Sequence, residues 1–356
     1  MSLETAWLAL LGLLLAGYFV LGGYDYGAQM LHPVLGGRGD QKAGRTEETG
    51  RTGWTGWTGW TGRNAALDAI APFFLGNEVW LVAVAGVMFG AFPHLEGTLL
   101  SGLYPLIVAI LAGLVVGNAA LQLRGRARTA RGRRAWGDLI VFGGALPAVC
   151  WGLVLGLLLH GVPRRADGSF HIGPGDVFTP FVLACGATTA LLFAAHGAGF
   201  VALRAEPETV VRARRVGARL LGASGATALL ALLLTLFGAG ASMTNRVTSA
   251  IITLGFAASL AAALWFFSSG RDVLAFAATC CATALPVLLV GAGHYPYLLI
   301  SSAGAGLDVD HAVTDDATLK ILSAFGVLVV PVIVAYQAWS WWAFRGRTGR
   351  RHPSYF

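Results

Sequence analysis

An all-α integral membrane protein with nine spanning helices is the fold class this chain predicts, on three observations. Fifty-six per cent of its 356 residues are apolar and only 12% are charged, about half the charge of an average soluble domain. Nine apolar runs of about 20 residues or more are each long enough to cross a bilayer core of ~30 Å. The basic residues fall almost entirely into alternate connections between those runs, as the positive-inside rule requires. Residues 1–356 read as a single polytopic membrane domain with no separate soluble part.

The runs follow in order. The first, 5–32, begins beside Glu4 without a basic segment and continues through Gly22, Gly23 and Asp25, so it reads as a span and not as a cleaved signal. A connection at 33–68 contains the triplet repeat Thr52 to Gly62, whose Trp54, Trp57 and Trp60 add no packing variety; it reads as an expansion in a tolerant cytoplasmic loop. Runs at 69–92 and 98–122 lead to the arginine cluster between Arg124 and Arg134, and runs at 137–160 and 177–203 to a second cluster between Arg204 and Arg219. Runs at 218–241, 247–268 and 272–293 come next. The ninth, 318–344, ends in Trp339, Trp341, Trp342 and Phe344, an aromatic belt before the basic tail 345–356.

Twenty-one of the 25 Lys and Arg residues lie on one side of this arrangement, whereas the other keeps Arg164, Arg165, Arg246 and Lys320 with the acidic Asp308, Asp310, Asp315 and Asp316. The expected topology places the N-terminus outside and the C-terminus in the cytoplasm of a bacterial cell membrane. The net charge of +7 is then a topology signal facing the lipid bilayer, and it gives no support to a nucleic-acid partner.

Of the 18 acidic residues, only Asp25 and Glu78 fall well inside apolar runs. A carboxylate costs several kcal/mol in hydrocarbon and is by default a candidate for ion or proton handling. Counted from the ends of their runs, the two sit roughly 10–14 Å deep from the cytoplasm, at ~1.5 Å per residue, on consecutive and hence neighbouring helices. Gly22, Gly23 and Gly27 flank one and Gly76 precedes the other; Asn77 offers an amide beside Glu78, and Trp80 completes the supporting set. The pattern suggests a proton-entry path from the cytoplasm. Two structural carboxylates tying helices together would leave the same pattern.

Metal chemistry finds less support. Cys150, Cys185, Cys280 and Cys281 all fall within runs and lack C-x-x-C spacing, so neither a disulfide framework nor a zinc site is expected. Of eight histidines only His196 lies well within a run, and a haem in a helical bundle needs axial His, Met or Cys ligands. His196 reads as a hydrogen-bonded packing residue, and no metal ligand is assigned.

Four segments carry a family resemblance: Phe19 to Leu31, which holds Gly-Gly-Tyr-Asp-Tyr-Gly; Ile70 to Leu81, which holds Leu-Gly-Asn-Glu-Val-Trp-Leu; Tyr295-Pro-Tyr-Leu298 with Ser301-Ser302; and Pro331 to Trp339. In order and spacing they resemble subunit II of the cytochrome bd-type quinol oxidases. The resemblance implies two four-helix bundles plus a peripheral ninth helix, paired with a similarly folded subunit I. That partner would carry the b- and d-type haems and the quinol-oxidising site, and oxygen would be reduced to water with protons taken from the cytoplasm. Small accessory subunits and a structural quinone accompany some members, and no residue here is assigned to a quinone. Members often carry Asp where this chain has Gly22 and Leu75; Glu78 is then the best substitute on a proton path, with Asp25 as its partner. A proton-coupled secondary transporter and a non-catalytic membrane scaffold are the alternatives, although no pair of Gly/Pro-broken helices marks an inverted repeat.

Overall fold

The computed structural model describes residues 2–35, 65–127, 129–164, 168–301 and 304–347. The Thr-Gly-Trp repeat, most of the 33–68 connection and the tail beyond residue 347 lie outside the described residues. Among the described residues nine helices are long and apolar enough to cross a membrane.

The chain begins with α1 (Leu3–Leu35), α2 (Ala65–Ile70), α3 (Phe74–Ala91), α4 (Pro93–Gly102), α5 (Tyr104–Leu123) and α6 (Ala130–His160). It continues through α7 (Pro174–Val177), α8 (Pro180–Arg204), α9 (Pro207–Leu236), α10 (Arg246–Ser268) and α11 (Asp272–His294). The hairpin β1 (Tyr297–Ser301) and β2 (Gly304–Asp308), the short α12 (Val309–Ala312) and the last span α13 (Asp316–Ala343) complete it.

α1 is the centre of the molecule. It packs against α3, α6, α8 and α11, and every residue from Leu21 to Gln29 is buried. A helix enclosed on all sides needs small residues at its closest crossings, and Gly27 meets Gly197 of α8 there. A Cβ on Gly27 would lie 2.8 Å from the Gly197 Cα, far inside ordinary contact, so this crossing requires glycine on α1. The neighbours α8, α9, α10 and α11 run in a closed ring, each touching the next and α11 returning to α8. α13 stands apart: it leans on α3, and only 6% of its apolar window is buried.

The helices depart from the apolar runs where polar residues or prolines decide their ends. The run 69–92 is two helices, because Pro72 interrupts the ladder in the turn between α2 and α3. Glu78 therefore lies four residues into α3 and not nine into a continuous helix. The run 98–122 divides at Leu103, and α4 and α5 each start with a proline in the first turn, where its missing N–H costs nothing. α9 begins at Pro207, 11 residues before the apolar run at 218 and with its arginine turns already helical; hydropathy marks where a helix meets lipid, not where it starts. The connection before the last span holds an antiparallel hairpin that periodicity did not predict.

Candidate functional site

Asp25 points out of the crowded middle of α1 towards α3. It is 5% exposed, and its Oδ2 accepts a hydrogen bond of 2.8 Å from Asn77 Nδ2. The same amide donates to the Tyr24 hydroxyl at 2.7 Å, so both of its N–H groups are spent on α1. The Asn77 carbonyl accepts from Gln337 Nε2 at 3.2 Å, and Gln337 Oε1 in turn accepts from Trp80 Nε1 at 3.3 Å. Asn77 is fully buried. One asparagine thus joins the first, second and last spans, and Tyr24 is fixed from its other side by stacking on Phe200 of α8 at 4.0 Å between centroids.

Glu78 has a different environment. One residue further along α3 its side chain is half-buried, and its Oε1 accepts from Asn118 Nδ2 of α5. Asp25 and Glu78 therefore sit on adjacent helices, but each carboxyl is held by its own asparagine and no hydrogen bond joins them. Leu75, one turn before, is 57% exposed. Gly76 lies against the Tyr336 ring of α13, which a Cβ would approach at 3.3 Å, and the Trp80 ring covers Gly17 of α1. The supporting residues act as packing partners of α1 and α13.

Three participants were not assigned to the site from sequence. Asn118 and Gln337 are single amides in apolar runs, a signal of the same kind as Asp25 and Glu78 but without charge. Gln29 is one turn below Asp25 on α1 and 3% exposed, with its Oε1 buried and unbonded; a Cβ on Gly117, the neighbour of Asn118, would lie 2.9 Å from that oxygen. The buried Asp25 and Gln29 thus share one side of α1, against Asn77 of α3 and Gly117 of α5.

The sequence profile of the cytochrome bd terminal oxidase subunit II family matches residues 3–344. The chain belongs to that family. The cytochrome bd ubiquinol oxidase subunit 2 of Bacillus subtilis (strain 168) is 27% identical over 355 residues, covering 99% of this chain and 98% of the relative. The cytochrome bd-I ubiquinol oxidase subunit 2 of Escherichia coli (strain K12) is 27% identical over 394 residues, covering 97% and 95%. A chain of the bd oxidase structure from Geobacillus thermodenitrificans superposes with a TM-score of 0.70 at 17% identity, covering 97% of this chain and 99% of that one, which establishes the same fold. This subunit II is part of a quinol oxidase, an oxidoreductase complex of the membrane with at least one further subunit and with haems. These relationships support the oxidase reading and neither the transporter nor the scaffold alternative.

Haem does not fit the histidine best placed to hold it. His196 Nδ1 lies 2.8 Å from Thr279 Oγ1 and Nε2 lies 2.9 Å from the Val20 carbonyl. Its ring stacks flat on Phe276 at 4.8 Å. With both nitrogens engaged and one face covered, the imidazole has no lone pair to give an iron. Among the described residues no group of three or more His, Cys, Asp or Glu side chains is placed to hold a metal.

Proposed function

We propose that this chain carries protons from the cytoplasm into a quinol oxidase whose b- and d-type haems and quinol-oxidising site reside in a haem-bearing subunit I. Glu78 is the principal group and Asp25 the second. The two chains pair as bundles of similar fold, with the N-terminus of this one outside and its basic tail in the cytoplasm. The closed ring of α8 to α11 supports the bundle reading, and the 21-to-4 division of basic residues supports the orientation.

The observation that carries the proton role is the contrast between the two carboxyls. A relay group must be reached and left by a proton and must be able to turn between partners. Glu78 is half-buried, on a longer side chain, and is held by one amide from α5. Asp25 is almost fully enclosed, with one oxygen fixed to Asn77. The Leu75 position cannot bind a proton, which leaves Glu78 as the titratable group of α3.

The test is Glu78→Gln in the assembled complex, with the haem spectrum as a measure of assembly. Quinol-driven oxygen consumption falls at least about tenfold, equivalent to roughly 1.4 kcal/mol in the limiting barrier, at unchanged haem content. Glu78→Asp retains part of the activity. Wild-type turnover of a fully assembled Glu78→Gln complex ends the proton-path reading of this residue.

A further inference from the structure

We infer that the corner where α9, α10 and α11 meet, on the side of the basic connections, is a binding site for the phosphate headgroup of an anionic phospholipid. A cleft of about 410 Å³ opens there, with Val211, Arg214 and Arg215 of α9 on one wall and Phe267, Ser268 and Ser269 at the end of α10 on the other.

Its level in the membrane follows from helix length. α9 has 30 residues, about 45 Å at 1.5 Å per residue, against a hydrocarbon core of ~30 Å. The apolar part begins near residue 218, so Arg214 and Arg215 lie about one turn beyond it, at headgroup depth. The end of α10 at Ser268 and the start of α11 at Asp272 bring their polar turn to the same level.

The cations there are arranged differently from a surface ion pair. Arg214 donates from Nε and Nη2 to the two Asp272 oxygens, both at 2.7 Å, and from Nη2 to the Gly270 carbonyl at 3.0 Å. Gly270 has φ +72°, a conformation that suits glycine and that presents its carbonyl to the guanidinium. Three of the five guanidinium N–H groups are thereby committed and the plane is locked, leaving the two on Nη1. The next residue, Arg215, is exposed and brings a full positive charge that Asp272 does not offset. The Ser268 and Ser269 hydroxyls turn back onto the Trp265 carbonyl at 2.7 Å, so the arginines are the donors left for a ligand. A fixed guanidinium beside a free one suits a phosphate oxygen pair, and basic pockets between spanning helices at this depth bind anionic headgroups. Phe267 and Ala218 supply apolar wall on the membrane side of the cations. That combination fits an acyl chain attached to the phosphate and does not fit a free ion.

The purified oxidase complex, reconstituted in nanodiscs and released for native mass spectrometry, tests this. In phosphatidylglycerol nanodiscs the wild-type complex retains tightly held anionic lipid, and Arg215→Gln retains one fewer per complex. Arg215→Lys keeps most of it. Arg133→Gln, at an exposed arginine outside the cleft, keeps all of it. Phosphatidylcholine does not substitute, and excess inorganic phosphate does not displace the lipid. Equal retention by the wild type and Arg215→Gln overturns the site. Displacement by inorganic phosphate shows a simple anion site and overturns the lipid assignment.

Discussion

At the scale of single residues, Asn77 carries more of this site than either carboxyl. Its amide is the bonded partner of Asp25 Oδ2 and of the Tyr24 hydroxyl, and its oxygen is occupied by Gln337. Asn77→Leu keeps the branched shape and heavy-atom count and strips Asp25 of that bond. Leaving a buried acceptor unpaired costs about 1–3 kcal/mol and more for a charged one, so the variant complex melts earlier and is recovered in lower yield. Gln337→Leu leaves the Asn77 oxygen and the Trp80 indole unpaired, with a smaller loss. Because the two residues share a bond, the double variant loses less than the sum of the singles, by at least about 0.5 kcal/mol; strict additivity in thermal denaturation would show that the amides act independently. Asp25 and Glu78 stood out in the sequence because charge in an apolar run is conspicuous. Asn118 and Gln337 did not, and Asn77 was noted only as the amide beside Glu78, because an amide in such a run has no period or spacing that says what it faces.

Among the helices, the crossing of α1 and α8 is set by backbone contact. Gly27 and Gly197 occupy the same point from opposite sides, and a Cβ on either reaches main-chain atoms that cannot move aside as a side chain can. Gly197→Ala therefore blocks accumulation of the folded subunit. Gly12→Ala, also on α1 and with nothing within 4 Å of its added Cβ, is neutral. Comparable membrane yields of the two would remove the crossing as a constraint. The start of α13 is set by a cap: Asp315 accepts from the Thr318 amide at 3.0 Å and from its hydroxyl at 2.7 Å. These Thr318 bonds, the hydroxyl first, hold the carboxyl below its usual range. A depressed folded value means that the cap stabilises above the ordinary aspartate range and that its contribution is lost as pH falls through the lowered value. Asp315→Ala therefore lowers the melting temperature at neutral pH, and the gap from wild type narrows in acid; a gap independent of pH would assign the loss to something other than this carboxylate.

For the whole molecule, span count was legible because bilayer thickness imposes a length on every apolar run. All nine expected spans correspond to helices in the structure. What hydropathy could not convey was the helix geometry beyond the lipid: the break at Pro72, the division at Leu103 and the polar turns that begin α9. Nor could it convey which buried polar groups meet, since that depends on helix rotation. Orientation is checked by cysteine labelling in a background lacking Cys281, the exposed native thiol. A cysteine at 310 reacts with an impermeant reagent added to intact cells, and one at 133 reacts only after permeabilisation. The reverse result inverts the topology and with it the cytoplasmic source of protons.

The bond between Asn77 and Gln337 joins residues 260 positions apart, and chain order gives that separation a temporal meaning. α1 and α3 are made and inserted first, so through most of synthesis the Asn77 oxygen and the Trp80 indole sit in the bilayer awaiting an amide from the final span. A nascent subunit truncated before α13 never receives that amide, and the two groups stay without it. Completion of the chain is thus written into the polar centre of its earliest helices, and a subunit ending at residue 315 is expected to be cleared by quality-control proteolysis in pulse-chase labelling while the full chain persists.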